Sequence, residues 1–403
     1  MPFLSLLDDR AKAKGSRDPL GFESVWSQFG RRLVGNLTTI TWSLNNFAVA
    51  LTGFAIANRH LDQHQQVLHA FLRFEQLAAY MRYCRGDVRG ILGITRVEAK
   101  WQTPPIRLGV NGQILSSQAN YGLWGLYSTA LAATGLVRGE KRIPTPLGNR
   151  CCDHFFQSSL SVWSRIEEIA LHGSSVSQEE IKELASAFTE AIASPEAKAI
   201  LAGHLLGGER SSALQRELSQ LIPEYWKATG AGNVSSENLA IWLEQNGTSL
   251  RMRDNAREIR QIERVLSSGR RLFDFLISQH GEQIDQLVEL IRQNYQREEM
   301  ALVVPEGKFP RREHLARYAS AMNRGEFKEA ISALINLNAD VMLSRSGAPW
   351  VEVRDNKLLV RIKASRAVLP PSAVELTAWE NSYFLPSFIQ IFRSSTGSGG
   401  EVK

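Results

Sequence analysis

The sequence predicts a mainly α-helical, multi-helical fold with a small C-terminal β-hairpin, and three observations carry that expectation. From Cys152 to Leu343 apolar residues recur at three- and four-residue spacing between Gly, Pro, Ser and Asn punctuation, the pattern of successive helices. Hydrophobic residues make up 43% and charged residues 22% of the 403, the balance of an ordinary globular chain long enough for two or three packed units. One stretch is β in character: Trp350 to Val353 and Leu358 to Ile362 flank the polar pair Asp355 and Asn356.

In chain order, residues 1–32 read as a loosely ordered arm that closes on Gly30, Arg31 and Arg32. Thr41 to Ala57 is apolar on nearly every side, which suits a helix buried all round. Leu61 to Tyr83 carries the stripe Val67, Phe71, Phe74, Leu77, Ala78 and Met81 of an amphipathic helix, with Arg73, Arg82 and Arg85 largely off it. Gly86 and Gly90 break that helix, Ile91 to Trp101 has strand-like residues, and Pro104-Pro105 closes the segment. Beyond Arg150, helices are expected over Cys152–Leu171, Ser177–Ile192, Pro195–Leu205, Ser211–Leu221 and Ser236–Gln245. Ser177 and Glu180 have the spacing of a capping box. Asp254–His280 and Glu282–Met300 read as a helical hairpin around Gly281 whose charges alternate in sign. After a turn over Val304–Pro310 come Arg311–Met322 and Glu326–Leu343, then the β stretch. The Ser- and Gly-rich residues 394–403 are expected to be disordered. The organisation this implies is 1–86, 87–150, 151–345, 346–393 and the tail.

Composition excludes several classes. Cys84, Cys151 and Cys152 are too few and too badly spaced for a disulfide framework, which points to a reducing, cytoplasmic setting. The first seventeen residues place Asp8 and Asp9 directly after a short apolar stretch, unlike a secretory signal. Leu33–Asn58 and Leu108–Val137 carry no charge, yet their Asn, Gln, Ser and Thr content is too high for a membrane span. Net charge is +6, and it is regional: Arg59–Arg150 holds twelve Lys and Arg against five Asp and Glu. A local excess of this kind is what a phosphate-binding surface needs, although the same charges could simply solvate a surface.

Ser116 to Gly148 is the strongest local pattern. A helix over Ser117–Ala133 is followed by Gly135-Leu136-Val137, the charged stretch Arg138–Ile143, and Thr145-Pro146-Leu147-Gly148. This order resembles the end of a winged helix-turn-helix domain and implies a winged-helix-like module over 87–150. In that layout the helix offers Ser117, Gln118 and Asn120 to base edges, while Arg138, Lys141 and Arg142 on the wing reach phosphates. No Lys or Arg lies on the helix to contact guanine, so base readout would be slight, and a structural or protein-docking use of the module is favoured over DNA contact.

A second pattern is Asp87 followed by Glu98-Ala99-Lys100 on the expected strand, the layout of restriction-type nucleases. There two carboxylates hold Mg²⁺ and the lysine positions the attacking water. His60, His64 and His69 cluster at a helix start, and Cys151, Cys152 and His154 are neighbours. Neither group has the partners a zinc site needs, so surface histidines and buried thiols are expected. There is no Gly-x-x-x-x-Gly-Lys-Ser/Thr loop, no Gly-x-Gly-x-x-Gly, no His-Glu-x-x-His and no Gly-x-Ser-x-Gly.

Four short motifs carry a family resemblance: Asp18-Pro19-Leu20-Gly21, Gly35 with Thr38-Thr39 and Thr41, Leu72-Arg73-Phe74-Glu75, and Trp379-Glu380-Asn381-Ser382-Tyr383-Phe384. They resemble recurrent features of prokaryotic proteins encoded in antiviral defence islands, and Asn45 or Asn46 stands where an aromatic residue is usual. The resemblance implies a non-catalytic subunit beside an ATPase, helicase or nuclease partner, and it supplies no catalytic residues. The expectation is therefore a DNA-binding or assembly subunit of a multi-protein defence system, without cofactor and away from the membrane, that meets double-stranded DNA or other subunits. Two alternatives stay open: a Mg²⁺-dependent nuclease on Asp87, Glu98 and Lys100, and a protein-binding scaffold that docks partners through Asp254–Met300.

Overall fold

The structure is a computed structural model that describes residues 15–157, 160–230, 235–294, 301–363, 368, 372 and 378–396. It is mainly helical. The first elements are α1 (Phe22–Leu33), α2 (Leu44–His60), α3 (His64–Cys84), α4 (Ile94–Trp101), the short strand β1 (Ile106–Arg107) and a 3-10 turn at Gly109–Gly112. Next come α5 (Gln118–Tyr121), α6 (Leu123–Ala133), β2 (Val137–Arg138), β3 (Ile143–Pro144), α7 (Pro146–Phe156), α8 (Leu160–His172) and β4 (Ser175–Val176). A helical run follows: α9 (Gln178–Ala193), α10 (Pro195–Gly207), α11 (Ala213–Thr229), α12 (Ser236–Asn246), α13 (Leu250–Leu276) and α14 (Ile284–Asn294). The remaining elements are α15 (Arg312–Arg324), α16 (Phe327–Ser344), β5 (Val351–Arg354), β6 (Lys357–Val360) and α17 (Leu385–Ser395).

These elements form two compact units. One comprises the described residues of Met1–Arg32 and Ser235–Tyr383, the other those of Leu33–Val234 and Phe384–Lys403.

In the first unit, the expected loose arm is corrected from residue 18 onward. Leu20, Phe22, Val25 and Phe29 are buried, and Asp18 accepts from the backbone N–H of Phe22 (2.8 Å) and Glu23 (3.0 Å), which starts α1. Residues 1–14 lie outside the described residues. The long helix α13 buries Glu263, whose carboxylate accepts from Tyr383 Oη (2.6 Å), the Asn381 amide (2.9 Å) and the backbone N–H of Glu380 (2.5 Å). A buried carboxylate is tolerated only when its lone pairs are filled, so this contact fixes residues 380–383 to α13. Strands β5 and β6 pair antiparallel, Val351 opposite Val360. They gain a backbone partner in the turn before α14: Gly281 N–H donates to Leu358 O (2.8 Å) and Ile284 N–H to Asn356 O (2.9 Å). That supplies the support a lone two-stranded ribbon lacks in water. The expected helix through Met300 is described only to Asn294.

In the second unit, α2 is buried almost continuously from Leu44 to Ala57, as its all-round apolar character requires. It packs against α3, which also differs from the simple amphipathic pattern: Glu75, Gln76 and Arg82 point into the core beside the apolar stripe. β1 pairs with β4, Ile106 opposite Val176, and β2 with β3, Val137 opposite Pro144. Ser43, Thr145, Ser177, Ser194 and Ser212 each cap a helix of this unit through a side-chain oxygen. The capping box at Ser177 is half made. Ser177 Oγ accepts from Glu180 N–H (3.1 Å), whereas the Glu180 carboxylate turns to Arg165 Nε (2.6 Å).

The extended segment expected over Ile91–Trp101 is a helix from Ile94 onward. Gly93, in the left-handed region at φ 75°, ends the preceding turn, and Ile94, Val97 and Trp101 then take three- and four-residue spacing with Val97 buried. Over so short a run, alternation and helical periodicity share the same apolar positions, and length and burial decide. The helix expected as one piece over Ser117–Ala133 is two, α5 and α6, broken at Gly122. A Cβ there would collide with the Gln118 carbonyl and the Glu75 carboxylate, so only glycine allows that approach. Residues 397–403 of the expected disordered tail lie outside the described residues, and 394 and 395 belong to α17. Among the described residues no helix is long and apolar enough to cross a membrane.

Candidate nucleic-acid interface

The second unit presents its basic residues from a scaffold of buried polar contacts on α3. Glu75 is fully enclosed and accepts from Gln118 Nε2 (2.9 Å) and from Leu123 N–H (2.7 Å) at the start of α6. Burial pushes its carboxyl up from an ordinary 4.5 to about 7, against the pull of those two donors. Gln76 holds Gly109 from both sides, donating to its carbonyl (3.0 Å) and accepting from its N–H (2.7 Å), and so anchors the chain just after Arg107. Arg82, also buried, donates to Asp87 Oδ2 (2.8 Å), Asn46 Oδ1 (2.7 Å) and the Arg89 carbonyl (2.8 Å). Asn46 in turn donates to the Gly90 carbonyl (2.8 Å) and to Tyr127 Oη (3.1 Å). Buried polar residues along one helix thereby fix the loops that carry Arg85, Arg89 and Arg107.

The residues singled out in the sequence fall in different places. Gln118 is in the core: besides Glu75 it donates to Leu72 O (3.3 Å) and accepts from Gln76 Nε2 (2.9 Å), so it has no group left for a base edge. Ser117 is half-buried at the start of α5, and only Asn120 of the three is open to solvent to any greater degree on the short turn that follows. On the β2–β3 turn, Arg138 is exposed, but Lys141 Nζ donates to the Asp62 carbonyl (2.9 Å) and Asn58 Nδ2 donates to the Lys141 carbonyl (3.0 Å). The Arg142 guanidinium lies 5.6 Å from the Trp124 ring centre and donates back to the Gly139 and Glu140 carbonyls (3.1 Å each). The cations that a wing would project instead hold this turn down, Lys141 on the loop between α2 and α3 and Arg142 on α6.

Asp87 is engaged by Arg82 and by Asn45 Nδ2 (3.2 Å). Glu98 and Lys100 are two residues apart on α4, and side chains at that separation on a helix do not face one another. The strand geometry on which the nuclease layout depends is replaced by a helix, and among the described residues no group of three His, Cys, Asp or Glu is placed to hold a metal. The histidines diverge: His60 meets Glu167 Oε1 (2.5 Å), His64 packs edge-on to Trp124, and His69 meets Gln65 Nε2 (2.8 Å). Cys151 and Cys152 are buried, and burial pushes both thiols up, Cys151 to about 11, so neither is a ready thiolate.

Helix α4 brings together residues that an extended segment would separate. Arg96 and Lys100 are four residues apart and share a face. Partial burial, then the positive charges of Arg96 and Arg107, pull the Lys100 ammonium below its ordinary value, so Lys100 sits within the field of both. Arg85 and Arg89 lie at the end of α3 and in the following loop, with the Arg89 guanidinium 5.5 Å from the Trp42 ring centre. Trp101 and Tyr83, both half-buried, stand edge-on at 5.9 Å beside Lys100. None of Arg85, Arg89, Arg96, Lys100 or Arg107 has a carboxylate partner among the described residues. Only a helical assignment of 94–101 makes the Arg96–Lys100 pair visible from the sequence.

Comparison with family models, with curated proteins and with solved structures finds no match to this chain.

Proposed function

We propose that the chain is a non-catalytic nucleic-acid-binding subunit that holds a phosphate backbone on the α4 face of its second unit. The observation that carries this reading is the cluster Arg96, Lys100 and Arg107: Arg96 and Lys100 share a face of α4, Arg107 also acts on Lys100, and none of the three has a carboxylate partner among the described residues. Such crowding costs free energy in the unbound protein, and a polyanion that meets all of them relieves it while releasing condensed counterions. The cations contact phosphates rather than base edges, so the binding is weakly sequence-dependent. In this reading the winged-helix-like stretch 116–148 serves as support for that face. The defence-island resemblance gives the proposal its setting, a multi-protein prokaryotic antiviral assembly with an ATPase, helicase or nuclease partner.

The test is the salt dependence of duplex binding, followed by fluorescence anisotropy between about 50 and 200 mM salt. Replacing Arg96, Lys100 and Arg107 together by Ala should flatten the log–log slope by about 2.7, at about 0.9 for each phosphate no longer neutralised. A wild-type protein that does not bind, or a triple variant with the wild-type slope, removes the proposal.

One further observation favours an assembly role alongside. The first unit has a groove of about 1040 Å³ whose floor includes Ile284, Ile331, Ile335 and the exposed Val353, flanked by Arg317 and Arg324. Its mixed apolar and basic lining offers a surface that a partner could occupy.

A further inference from the structure

We infer that the first unit contains a separate binding site for a phosphate group, in the cavity between the loop ahead of α15 and the first turn of that helix. The cavity has a volume of about 420 Å³ and is lined by Lys308, Phe309, Arg311, Arg312 and His314, with Glu313 the single acidic residue among its walls. That volume holds a phosphate monoester and more than a few waters.

The charges of this cavity are unmatched. Four other half-buried arginines of the same unit have carboxylates: Arg32 pairs with Glu258, Arg260 with Glu244, Arg271 with Glu380 (2.9 Å) and Arg270 with Asp18 (3.7 Å). Arg311 and Arg312 are half-buried too, yet neither has an ion-pair partner among the described residues, nor does Lys308. Arg312 Nε is shielded from solvent and has no hydrogen-bond partner among the described residues. His314 is committed to Asp340 (2.9 Å), so that carboxylate is already engaged. Removing a guanidinium from water without a counter-charge is costly, and a phosphate, whose oxygens match the guanidinium fork, supplies that counter-charge.

The site is also preformed. Gln28 Nε2 donates to the Lys308 carbonyl (3.1 Å), and Phe309 packs edge-on against Phe29 with ring centres 5.2 Å apart, so the loop is tied to α1. Helix α15 begins at the cavity without a side-chain cap, which adds its first-turn N–H groups to the donors.

The experiment is a calorimetric titration of the full chain with inorganic phosphate, and in a second arm with AMP, at an ionic strength held constant with chloride. Saturable phosphate binding is expected, weakened at least about tenfold in Arg312→Ala and in Arg311→Gly, in line with the removal of one charge-assisted hydrogen bond. Arg311→Gly is the safer variant for folding, because Arg311 sits at φ 63° and glycine adopts that conformation freely. AMP binding more tightly than phosphate would identify a nucleotide as the source of the phosphate, and equal affinities a free phosphate. No saturable binding to the wild type, or equal binding to wild type and both folded variants, overturns the site. Because the α4 face belongs to the other unit, the outcome is independent of the duplex-binding test.

Discussion

Two basic stretches of the second unit, Arg138–Arg142 on the β2–β3 turn, which the sequence singles out for phosphate, and Arg96–Arg107 on α4 and β1, which it does not, have opposite fates in the structure. On the turn, Lys141 and Arg142 direct their donors to the Asp62, Gly139 and Glu140 carbonyls and to the Trp124 face. On α4 and β1, Arg96 and Arg107 both act on Lys100, and none of the three has a carboxylate partner among the described residues. A charge already hydrogen-bonded to its own chain gains little from a polyanion, whereas an exposed charge without a partner keeps its full donor capacity for phosphate. Net charge along the chain does not separate the two; the donors' existing partners do.

The unit that carries both stretches is built around the buried polar residues of α3, and the largest effect expected is at Glu75. Its folded-state carboxyl lies at about 7 against an ordinary 4.5, so its contribution to stability is fully present below about pH 4.5 and is lost as pH rises through 7. The loss is about 3 kcal/mol on the scale of 1.36 kcal/mol per pKa unit. Urea midpoints measured from pH 5 to pH 8 should fall in the wild type by more than in Glu75→Gln, which cannot ionise. Parallel pH profiles for the two proteins would mean that Glu75 does not underlie the fold in this way.

Next in size is charge reversal on α4. Arg96→Glu with Lys100→Glu should weaken duplex binding by about 100-fold near 100 mM salt, about tenfold for each reversed contact, with the urea midpoint little changed because one like-charged i,i+4 pair replaces another. The same reversal at Arg138 alone should cost less, since one exposed cation there stands against the triplet on α4. If the turn variants lose more binding than the α4 pair, the comparison is inverted and the phosphate surface belongs to the turn.

The helical character of the chain, the all-round burial of α2 and the N-cap at Ser177 are legible in the sequence because each is a local pattern with a local cause. What stays hidden is set by distant partners. Glu75, Gln76 and Arg82 lie beside the apolar stripe of α3 and read as solvent-facing until Gln118, Gly109 and Asp87, each brought in by a separate loop, are seen to meet them. Gln118 is legible as a polar residue at a helix start but not as the buried end of that chain of contacts. In α4, a run of eight residues has too few periods to separate a strand from a helix, and with it goes the placement of Glu98 and Lys100. The motifs that carry the family resemblance share this property. Asp18 starts α1, Arg73 donates to the Ala170 (2.7 Å) and Leu171 (2.6 Å) carbonyls at the end of α8, and Asn381 with Tyr383 fills the Glu263 carboxylate. Their chemistry in this chain is that of structural ties.

The smallest effect sharpens the comparison most directly. Arg142→Ala removes a cation–ring contact and two hydrogen bonds to carbonyls at a half-buried site, which should cost about 1 kcal/mol of stability. It should leave the salt slope of duplex binding unchanged, because that guanidinium is not available to phosphate. Arg142 also sits in the left-handed region at φ 58°. Glycine tolerates that backbone where alanine does not, so Arg142→Gly should regain up to about 1 kcal/mol relative to Arg142→Ala while removing the same side-chain interactions. A urea midpoint for Arg142→Gly at or below that of Arg142→Ala would show that the turn does not hold this conformation. A flattened salt slope in either variant would show that Arg142 leaves Trp124 to reach the nucleic acid.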